Sequence, residues 1–522
     1  MKKVFSLFMV ALGMSFLNAQ SIDDVLRYSN EQVTGTARFR ALSGAFGALG
    51  GDLSAISHNP AGSAVFNTTQ LGVSLSNYDV ENNSRYMGGS TTATESQFDI
   101  SQFGAVFVFN ESSGRSDWKK IALGFNYELS NNFDEDVFVA SNAAQTSVDQ
   151  YFLAHANGFS GARFPNGVPL DLIQLRDGET IDDLYQFLGE TEGFQAQQAF
   201  LGFQSFVIDP NDINDPNNTT YFSNALYPNG VDQEYTVLSR GYNRKFTVNL
   251  GGQYQESLFL GANLNVHDVD FRKVTIIDEI GFDFDNSSVQ SIYFENDLYT
   301  FGEGFSFQVG GIAKVNEDIR LGVAYQSPTW YRLNDELVQY VETTRVNPDD
   351  PTNPDADLLE VVDPRVINIY EEYRIKTPSE LMGSFAYIFG KQGLVSFDYI
   401  RRDYSNAELR PEGDFQGENA FISEALTDTN EFRVGAEYRI NQLRLRGGYR
   451  YAESPYNDGT TIGDLEGYSL GLGVDFGSAT IDLAYQRTEQ DREQQLFNVG
   501  LTDAASINSI NNNVTATLTL KL

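Results

Sequence analysis

Apolar and polar residues alternate strictly through the last ten positions of the chain, within the segment Asn511 to Leu522. Val514, Ala516, Leu518, Leu520 and Leu522 fall on one face; Asn513, Thr515, Thr517, Thr519 and Lys521 fall on the other. Period-two alternation marks a strand with one apolar and one polar face. The same pattern predicts fourteen strands, at 67–78, 98–109, 119–130, 236–254, 257–271, 301–315, 318–331, 367–389, 393–404, 429–440, 442–452, 464–476, 479–490 and 511–522. Connections after even-numbered strands are mostly short, such as Gln255-Glu256, Asn316-Glu317, Asn441 and Gly477-Ser478. Those after odd-numbered strands are long: 79–97, 131–235, 272–300, 332–366, 405–428, 453–463 and 491–510.

A soluble sandwich also alternates, with its apolar face inward. Three features favour a transmembrane antiparallel barrel instead. The strands match the roughly 9–11 residues that cross a bilayer. The loop lengths alternate, as they do between short periplasmic turns and long outer loops. Tyr127, Tyr325, Tyr449 and Tyr485 each lie six residues after an apolar strand-opening residue (Ile121, Ile319, Leu443, Ala479), which predicts an aromatic ring at the outer interface. The apolar faces Phe432/Val434/Ala436/Tyr438, Leu443/Leu445/Gly447/Tyr449, Leu470/Leu472/Val474/Phe476 and Ile481/Leu483/Tyr485 are then turned to lipid. The opposite faces carry Arg433, Glu437, Arg439, Arg444, Arg446, Arg450, Asp475 and Asp482. An Arg facing mid-membrane lipid costs about 2–4 kcal/mol, so these charges are expected in the lumen.

The ends and the composition narrow the class. Met1-Lys2-Lys3, the apolar run 4–17 and Asn18-Ala19-Gln20 read as a signal peptide, 1–19, with Gln20 the first mature residue. No long apolar run follows, so any later membrane span is a barrel, the other structure that satisfies its backbone in lipid. The exported chain has no cysteine, which excludes disulfides, thiol chemistry and Cys-ligated metals. His58, His155 and His267 are scattered without metal-ligand spacing. A net charge of −36 over 522 residues argues against a nucleic-acid partner. With no nucleophile motif and no phosphate-cradling loop, the chain reads as a non-enzyme without cofactor or metal. Asp209 to Asn218 and Asp349 to Asp363 look superficially like calcium loops. Ile213 and the missing glycine after it break the template in the first, and solvated loops are the better reading.

Residues 20–66 do not alternate. A capping-box-like Ser21-Ile22-Asp23-Asp24 opens a short helix; a small-residue stretch from Ala41 to Gly51 follows, then Asp52-Leu53-Ser54-Ala55-Ile56-Ser57-His58-Asn59-Pro60-Ala61-Gly62. A strandless segment ahead of the first strand suits a plug in a wide lumen. Here the chain resembles the FadL/TodX family of outer-membrane transporters of long-chain fatty acids and hydrocarbons. The resemblance rests on the run Asp52 to Gly62 after a Gly/Ala-rich stretch, on Lys376-Thr377-Pro378, and on Leu445-Arg446-Gly447-Gly448-Tyr449-Arg450-Tyr451 followed by Ser454-Pro455. It implies a fourteen-stranded barrel plugged by an N-terminal hatch (20–66), with 67–522 as the barrel. It further implies an apolar ligand that passes through and leaves by a gap in the wall. Leu522 departs from the aromatic that ends many such barrels, and the loop 131–235 matches none of the family's ligand-capturing loops. The implied setting is a Gram-negative outer membrane, reached through the barrel-assembly machinery, with lipid around the barrel. A branch of the architecture shuttles secreted proteins, which is the alternative function.

Four groups of residues are candidate sites. Asp52, Ser54, Asn59, Pro60, Ala61 and Gly62 are expected to latch plug to wall. Phe39, Leu42, Phe46, Leu49, Ile56 and Phe66 either line a ligand pocket or form the plug's own core. Phe187, Leu188, Phe194, Phe200, Phe203 and Phe206 belong to an apolar, partly helical insert that either caps the barrel or forms a capture groove for a hydrophobic ligand. The lumenal charges Arg433, Glu437, Arg444, Arg446, Arg450, Asp475 and Asp482 are expected to pair and anchor the plug, with one Arg free to hold a substrate carboxylate.

Overall fold

The computed structural model describes residues 20–522 other than 31, 113–114, 284, 348, 351–352 and 354–356. The expected signal peptide, 1–19, lies outside the described residues. Fourteen antiparallel strands close into one barrel: β1 (Gln70–Tyr86), β2 (Gly89–Asn110), β3 (Trp118–Asn132 continued by Glu135–Ala144), β4 (Val231–Tyr254), β5 (Leu258–Ile280), β6 (Val289–Lys314) and β7 (Ile319–Gln326 continued by Trp330–Arg345). Then come β8 (segments Leu358–Val362, Asn368–Ile369, Tyr373–Lys376 and Glu380–Phe389), β9 (Gly393–Asp403), β10 (Asp428–Ile440), β11 (Leu443–Ala452), β12 (Ile462–Asp475), β13 (Ala479–Gln495) and β14 (Ala504–Lys521). Each strand pairs with its sequence neighbours, and β14 returns to β1 in register, Val73 opposite Leu518 and Leu75 opposite Ala516. Closure removes the free edges that an open sheet would present to lipid.

The alternation decides which face is which. Val514, Leu518 and Leu520 on β14, and Leu470, Leu472, Ile481 and Leu483 on β12 and β13, are exposed on the outside of the barrel. Thr515 and Thr517 are buried inside. Tyr127 lies outward with the girdle, its ring 5.3 Å from Phe103 and 5.2 Å from Phe246. Among the described residues no helix is long and apolar enough to cross a membrane; strands make the crossing.

The strands extend further outward than the alternation predicts. The expected loop 79–97 is a continuous hairpin: β1 runs to Tyr86 and β2 starts at Gly89, joined at Met87 (φ 41°) and Gly88 (φ 87°). Two successive positive φ angles make the tight primed turn that suits a twisted hairpin. Methionine is an unusual residue for that turn, so the sequence carries a weak signal. The flanking segments also lose their apolar face above the bilayer, as in Asp79-Val80-Glu81-Asn82-Asn83-Ser84. For the same reason the ends of β4, β5, β6 and β7 lengthen, and the largest connection shrinks from 131–235 to 145–230.

That connection folds into an outer cap built from α3 (Asp149–Asn157), α4 (Leu170–Ile173), α5 (Ile181–Thr191) and α6 (Phe194–Gln204), plus the small hairpin Ile208–Pro210 with Tyr221–Ser223. Thr180 caps α5 through the Asp183 N–H. The apolar sides of these helices form one core with inward residues of the outer strand ends, among them Tyr235, Ile277, Phe294, Val341 and Ile507. Ahead of β1, residues 20–66 form α1 (Ile22–Ser29), α2 (Ala37–Ala41) and two 3-10 turns, Ser54–Ser57 and Pro60–Val65. Nearly all of this segment is buried.

Candidate functional site: a filled lumen under an outer cap

The N-terminal segment bonds to strands all round the wall, which places it inside the barrel. The Ala37 N–H donates to Thr517 Oγ1 of β14 at 2.7 Å. Ser43 N–H reaches Ser469 Oγ of β12 at 3.1 Å. Asn249 of β4 and Asn263 of β5 donate to the carbonyls of Pro60 and Ile56, both at 2.9 Å, and Gln308 of β6 donates to Ser57 O at 2.9 Å. These three amides also bond to one another, Asn249 to Asn263 and Asn263 to Gln308, each at 2.7 Å. Because 3-10 turns are short and irregular, they leave carbonyls without helix partners, and this amide ladder satisfies several of them.

The Asp52 to Gly62 motif works mainly within the plug. Asp52 Oδ1 accepts from the Thr36 hydroxyl at 2.6 Å and the Ser54 N–H at 3.0 Å, while Ser54 Oγ accepts the Thr36 N–H at 2.8 Å. Asn59 is fully buried; its Oδ1 caps the turn at Ala61 N–H (3.1 Å), and its Nδ2 donates to Gly47 O at 2.7 Å and Gly311 O of β6 at 3.3 Å. Gly62 accepts the Gly51 N–H at 3.0 Å and packs on Gly50, where a Cβ on Gly62 would stand 3.3 Å from the Gly50 Cα. Pro60 fixes the start of its turn, and Ala61 and Ala64 fill the small space against Phe259 and Ile312.

The strongest latch was not among the residues singled out in the sequence. Asp398, on β9, is completely buried. Its Oδ2 accepts the N–H groups of Phe46 and Gly47, each at 2.9 Å, and lies 3.1 Å from His58 Nε2. A single acid on the inward face of β9 is its only sequence signal. Arg40 is also buried, and it uses neutral acceptors: Gln486 Oε1 at 3.2 Å, Ser76 Oγ at 3.1 Å and Thr515 Oγ1 at 2.9 Å.

The expected pocket-lining residues pack as core. Phe39, Leu42, Phe46 and Leu49 form one cluster with Ala386 and Leu394, and Ile56 and Phe66 form another with Val106 and Ala122. Phe39 alone of the six borders a lumenal cavity, which holds about 30 Å³ and is walled chiefly by polar groups including His58, Glu128, Lys245, Glu380 and Arg433.

The lumenal charges do come together, in three groups. Glu431 holds Arg402 (2.9 Å), Arg433 (2.6 Å) and Arg450 (2.5 Å), and Arg402 also reaches Glu380 at 2.5 Å. Glu437 holds Arg446 and Arg439, each at 2.7 Å, and Arg38 of the plug at 3.1 Å; Arg446 also meets Asp482 at 2.6 Å. Asp475 bridges Arg444 and Lys521 near the short-turn mouth. The expectation that these pairs anchor the plug needs correction. They tie wall strand to wall strand, and among the ion pairs of the described residues it is Arg38 that brings the plug into them. Arg38, Arg402, Glu380 and Glu431 belong with the set named from the sequence.

In the cap, Leu188 and Phe200 are fully buried, Phe194 and Phe203 are half-buried, and Phe187 and Phe206 are exposed. The insert is therefore a packed cap. In Asp209 to Asn218, Asp212 accepts the Asn214 N–H at 3.0 Å and Asp215 the Asn217 N–H at 2.9 Å, turns of their own backbone, while Asp209 accepts from Asn224 at 2.8 Å. Part of the second acidic loop, 349–363, lies outside the described residues, and among those described no group of acids and histidines is arranged to hold a metal ion.

One buried histidine makes the cap sensitive to pH. His155 of α3 is 2% exposed, ringed by Tyr151, Phe159 and Phe194, and neither ring nitrogen has a hydrogen-bond partner. Burial lowers its pKa from the usual value near 6.5 to about 3. The unfolded cap then binds the proton that the folded cap refuses. The His155 contribution to cap stability is complete above about pH 6.5 and falls by roughly 1.4 kcal/mol per pH unit below it, while Glu279, whose burial raises its pKa to about 7, contributes in the opposite sense. Protection factors of the α3 and α6 amides, corrected for the intrinsic slowing of exchange in acid, are expected to fall more between pH 7 and 5 in the native chain than in His155→Phe. An equal loss of protection in both would refute this role for His155, since other titrating groups are common to the pair.

Comparison with known proteins agrees with this architecture. Residues 283–519 match the family model described as outer membrane protein transport protein (OMPP1/FadL/TodX). A FadL homologue from Pseudomonas aeruginosa superposes with a TM-score of 0.51 at 14% identity, over 94% of this chain and 99% of that one. The toluene transporter TodX of Pseudomonas putida does so with a TM-score of 0.50 at 12% identity, over 95% and 100%. No curated protein matches the chain significantly. At such identities the superpositions speak for the fold, and the family model speaks for residues 283–519. Residues 283–519 are thus similar to the outer-membrane transport proteins of the OMPP1/FadL/TodX family, and the whole chain has the fourteen-stranded barrel fold of the solved FadL homologue.

Proposed function

We propose that the chain is a passive channel for long-chain fatty acids or hydrocarbons, captured at the outer face and admitted by movement of the N-terminal segment. One observation carries this reading. Most of the lumen wall around the plug is polar, yet beneath the outer loops it has an apolar stretch: Val269, Leu333, Ile375 and Leu409 with Tyr331 and Tyr373. The apolar face of α1, Ile22, Val25, Leu26 and Tyr28, covers that stretch. An eight-residue helix is too short to be stable alone, so its hold depends on these contacts, and an apolar ligand offers the wall equivalent burial. The predicted cleavage after Ala19 would free the start of this helix inside the barrel. No energy source is evident, so flux follows the gradient.

Cells carrying Val25→Asp, which weakens α1 docking by burying a charge, are expected to take up a labelled hydrocarbon faster than cells with the native chain. Mass spectrometry of the purified native barrel should detect retained hydrophobic molecules. If uptake is the same with and without the chain and nothing apolar co-purifies, the transport reading fails. The other reading, a shuttle or docking barrel for secreted proteins, draws on the small polar lumenal cavity and the closed cap. It predicts retained protein in place of retained lipid. A general aqueous porin fits neither, because the plug fills the lumen.

A further inference from the structure

The short-turn end of the barrel, which faces the periplasm, contains a recess of about 640 Å³. It lies between the turns β8–β9, β10–β11 and β12–β13 and the end of β14. Lys391, Arg439, Arg444 and Lys521 line it together with one acid, Asp475, and the amides of Gln392, Asn441 and Gln442. Four cations against one carboxylate is an unusual concentration in a chain of net charge −36. The acids of the neighbouring turn, Glu317 and Asp318, are not part of the lining.

Ion pairing leaves much of this charge unmatched. Asp475 is shared by Lys521, at 2.9 Å, and Arg444. Arg439 Nε meets Glu437 at 2.7 Å, but Glu437 also serves Arg38 and Arg446, and the Arg439 side chain remains 36% exposed. Lys391 forms no ion pair among the described residues. The cations come from two separate turns and a chain end, Lys391 from β8–β9, Arg439 and Arg444 from either side of β10–β11 and Lys521 from the end of β14, so they line one concave space instead of spreading over a surface. A guanidinium fork and two ammonium groups around such a space suit a planar or tetrahedral oxyanion. The concave low-dielectric walls strengthen that attraction relative to open solvent.

We propose that this recess binds an oxyanion, a carboxylate or phosphate group, at the periplasmic mouth of the barrel. The site stands on its own geometry and does not depend on which hydrophobic compound the barrel passes. If the cargo is a fatty acid, its carboxylate is one source of the anion; a phosphate-bearing periplasmic or lipid species is the other.

The full chain in a non-ionic detergent is titrated calorimetrically with decanoate, with inorganic phosphate and with uncharged decanol. Lys391→Gln/Arg439→Gln is the test variant. It leaves the Arg444–Asp475–Lys521 and Arg446–Glu437 pairs in place, and its barrel assembly is checked by the cold gel mobility of the folded form. Anion binding is expected to be weakened at least about tenfold in the double variant and by added salt, with decanol unaffected. Charge-conserving Lys391→Arg is expected to retain binding. Decanoate binding alone, lost in the variant, supports the site and assigns it to carboxylate amphiphiles. Phosphate binding alone, lost in the variant, supports it and assigns it to phosphate. Binding of neither anion, or binding that the folded double variant preserves, overturns the proposal.

Discussion

Gly261→Val is expected to unseat the N-terminal plug while leaving the barrel closed on itself. Gly261 sits on the inward face of β5 beneath the turn Pro60–Val65. A Cβ there would stand 2.3 Å from both the carbonyl carbon and oxygen of Pro60 and 2.5 Å from the Ala61 nitrogen. These are backbone atoms, so no side chain can rotate to make room. Ordinary overpacking costs about 1–3 kcal/mol, and an overlap of this depth in backbone leaves displacement of the turn as the relief. The wall itself tolerates the change, because valine is a good strand former and the ladders of β5 to β4 and β6 do not involve the side chain. Gly322 repeats the geometry on β7, 2.3 Å from Gly47 O, so adding Gly322→Val should compound the effect. In planar bilayers the native barrel is expected to pass little ion current, and the variant to pass the current of a wide pore. Gly383→Val is the control: its Cβ would meet nothing within 4 Å. A folded Gly261→Val barrel as silent as the native one would show that the turn does not block the lumen.

What the sequence reveals about such a molecule depends on where lipid lies. Along Leu470-Gly471-Leu472-Gly473-Val474, bilayer on one side and polar lumen on the other force strict alternation, and strand identity, facing and closure could be read directly. Above the bilayer that contrast disappears. Residues 79–97 are polar on both faces, and their hairpin hid behind a Met-Gly turn. Inside the lumen, the inward Arg and Glu of β10 and β11 were legible because charge cannot face lipid. Their partners were less so, since Glu380 of β8 and Asp398 and Arg402 of β9 gain meaning only when the neighbouring strands and the plug are in place. Asp398 holds Phe46 and Gly47 across some 350 positions of chain, a contact that no local pattern announces. The plug aromatics were ambiguous for another reason: pocket and core use the same residue types, and only burial separates them.

The second large effect is expected at Glu431. This carboxylate is 2% exposed and holds three guanidiniums, Arg402, Arg433 and Arg450, within 2.9 Å. Arg402 keeps Glu380, but Arg433 and Arg450 have no other ion pair among the described residues. Glu431→Ala therefore strands two buried cations beside a third. Removing one partner of a buried pair costs about 3–5 kcal/mol, because the charge left behind is uncompensated. Mutual repulsion adds to that here. The loss is expected as a lowered thermal midpoint of the heat-induced gel shift and as faster proteolysis of the plug, since Arg433 Nη1 lies beside Gly44, within 2.8 Å of where a Cβ would sit. Glu431→Gln keeps the volume and one acceptor and should fall between. The triple change Glu431→Met, Arg433→Met, Arg450→Met removes the charges together and should recover much of the stability lost by Glu431→Ala, as buried ion clusters replaced by apolar side chains of similar volume often do. If the triple variant is instead the least stable of the three, the cluster contributes net stability through its geometry, and the desolvation of its members is not what dominates at Glu431.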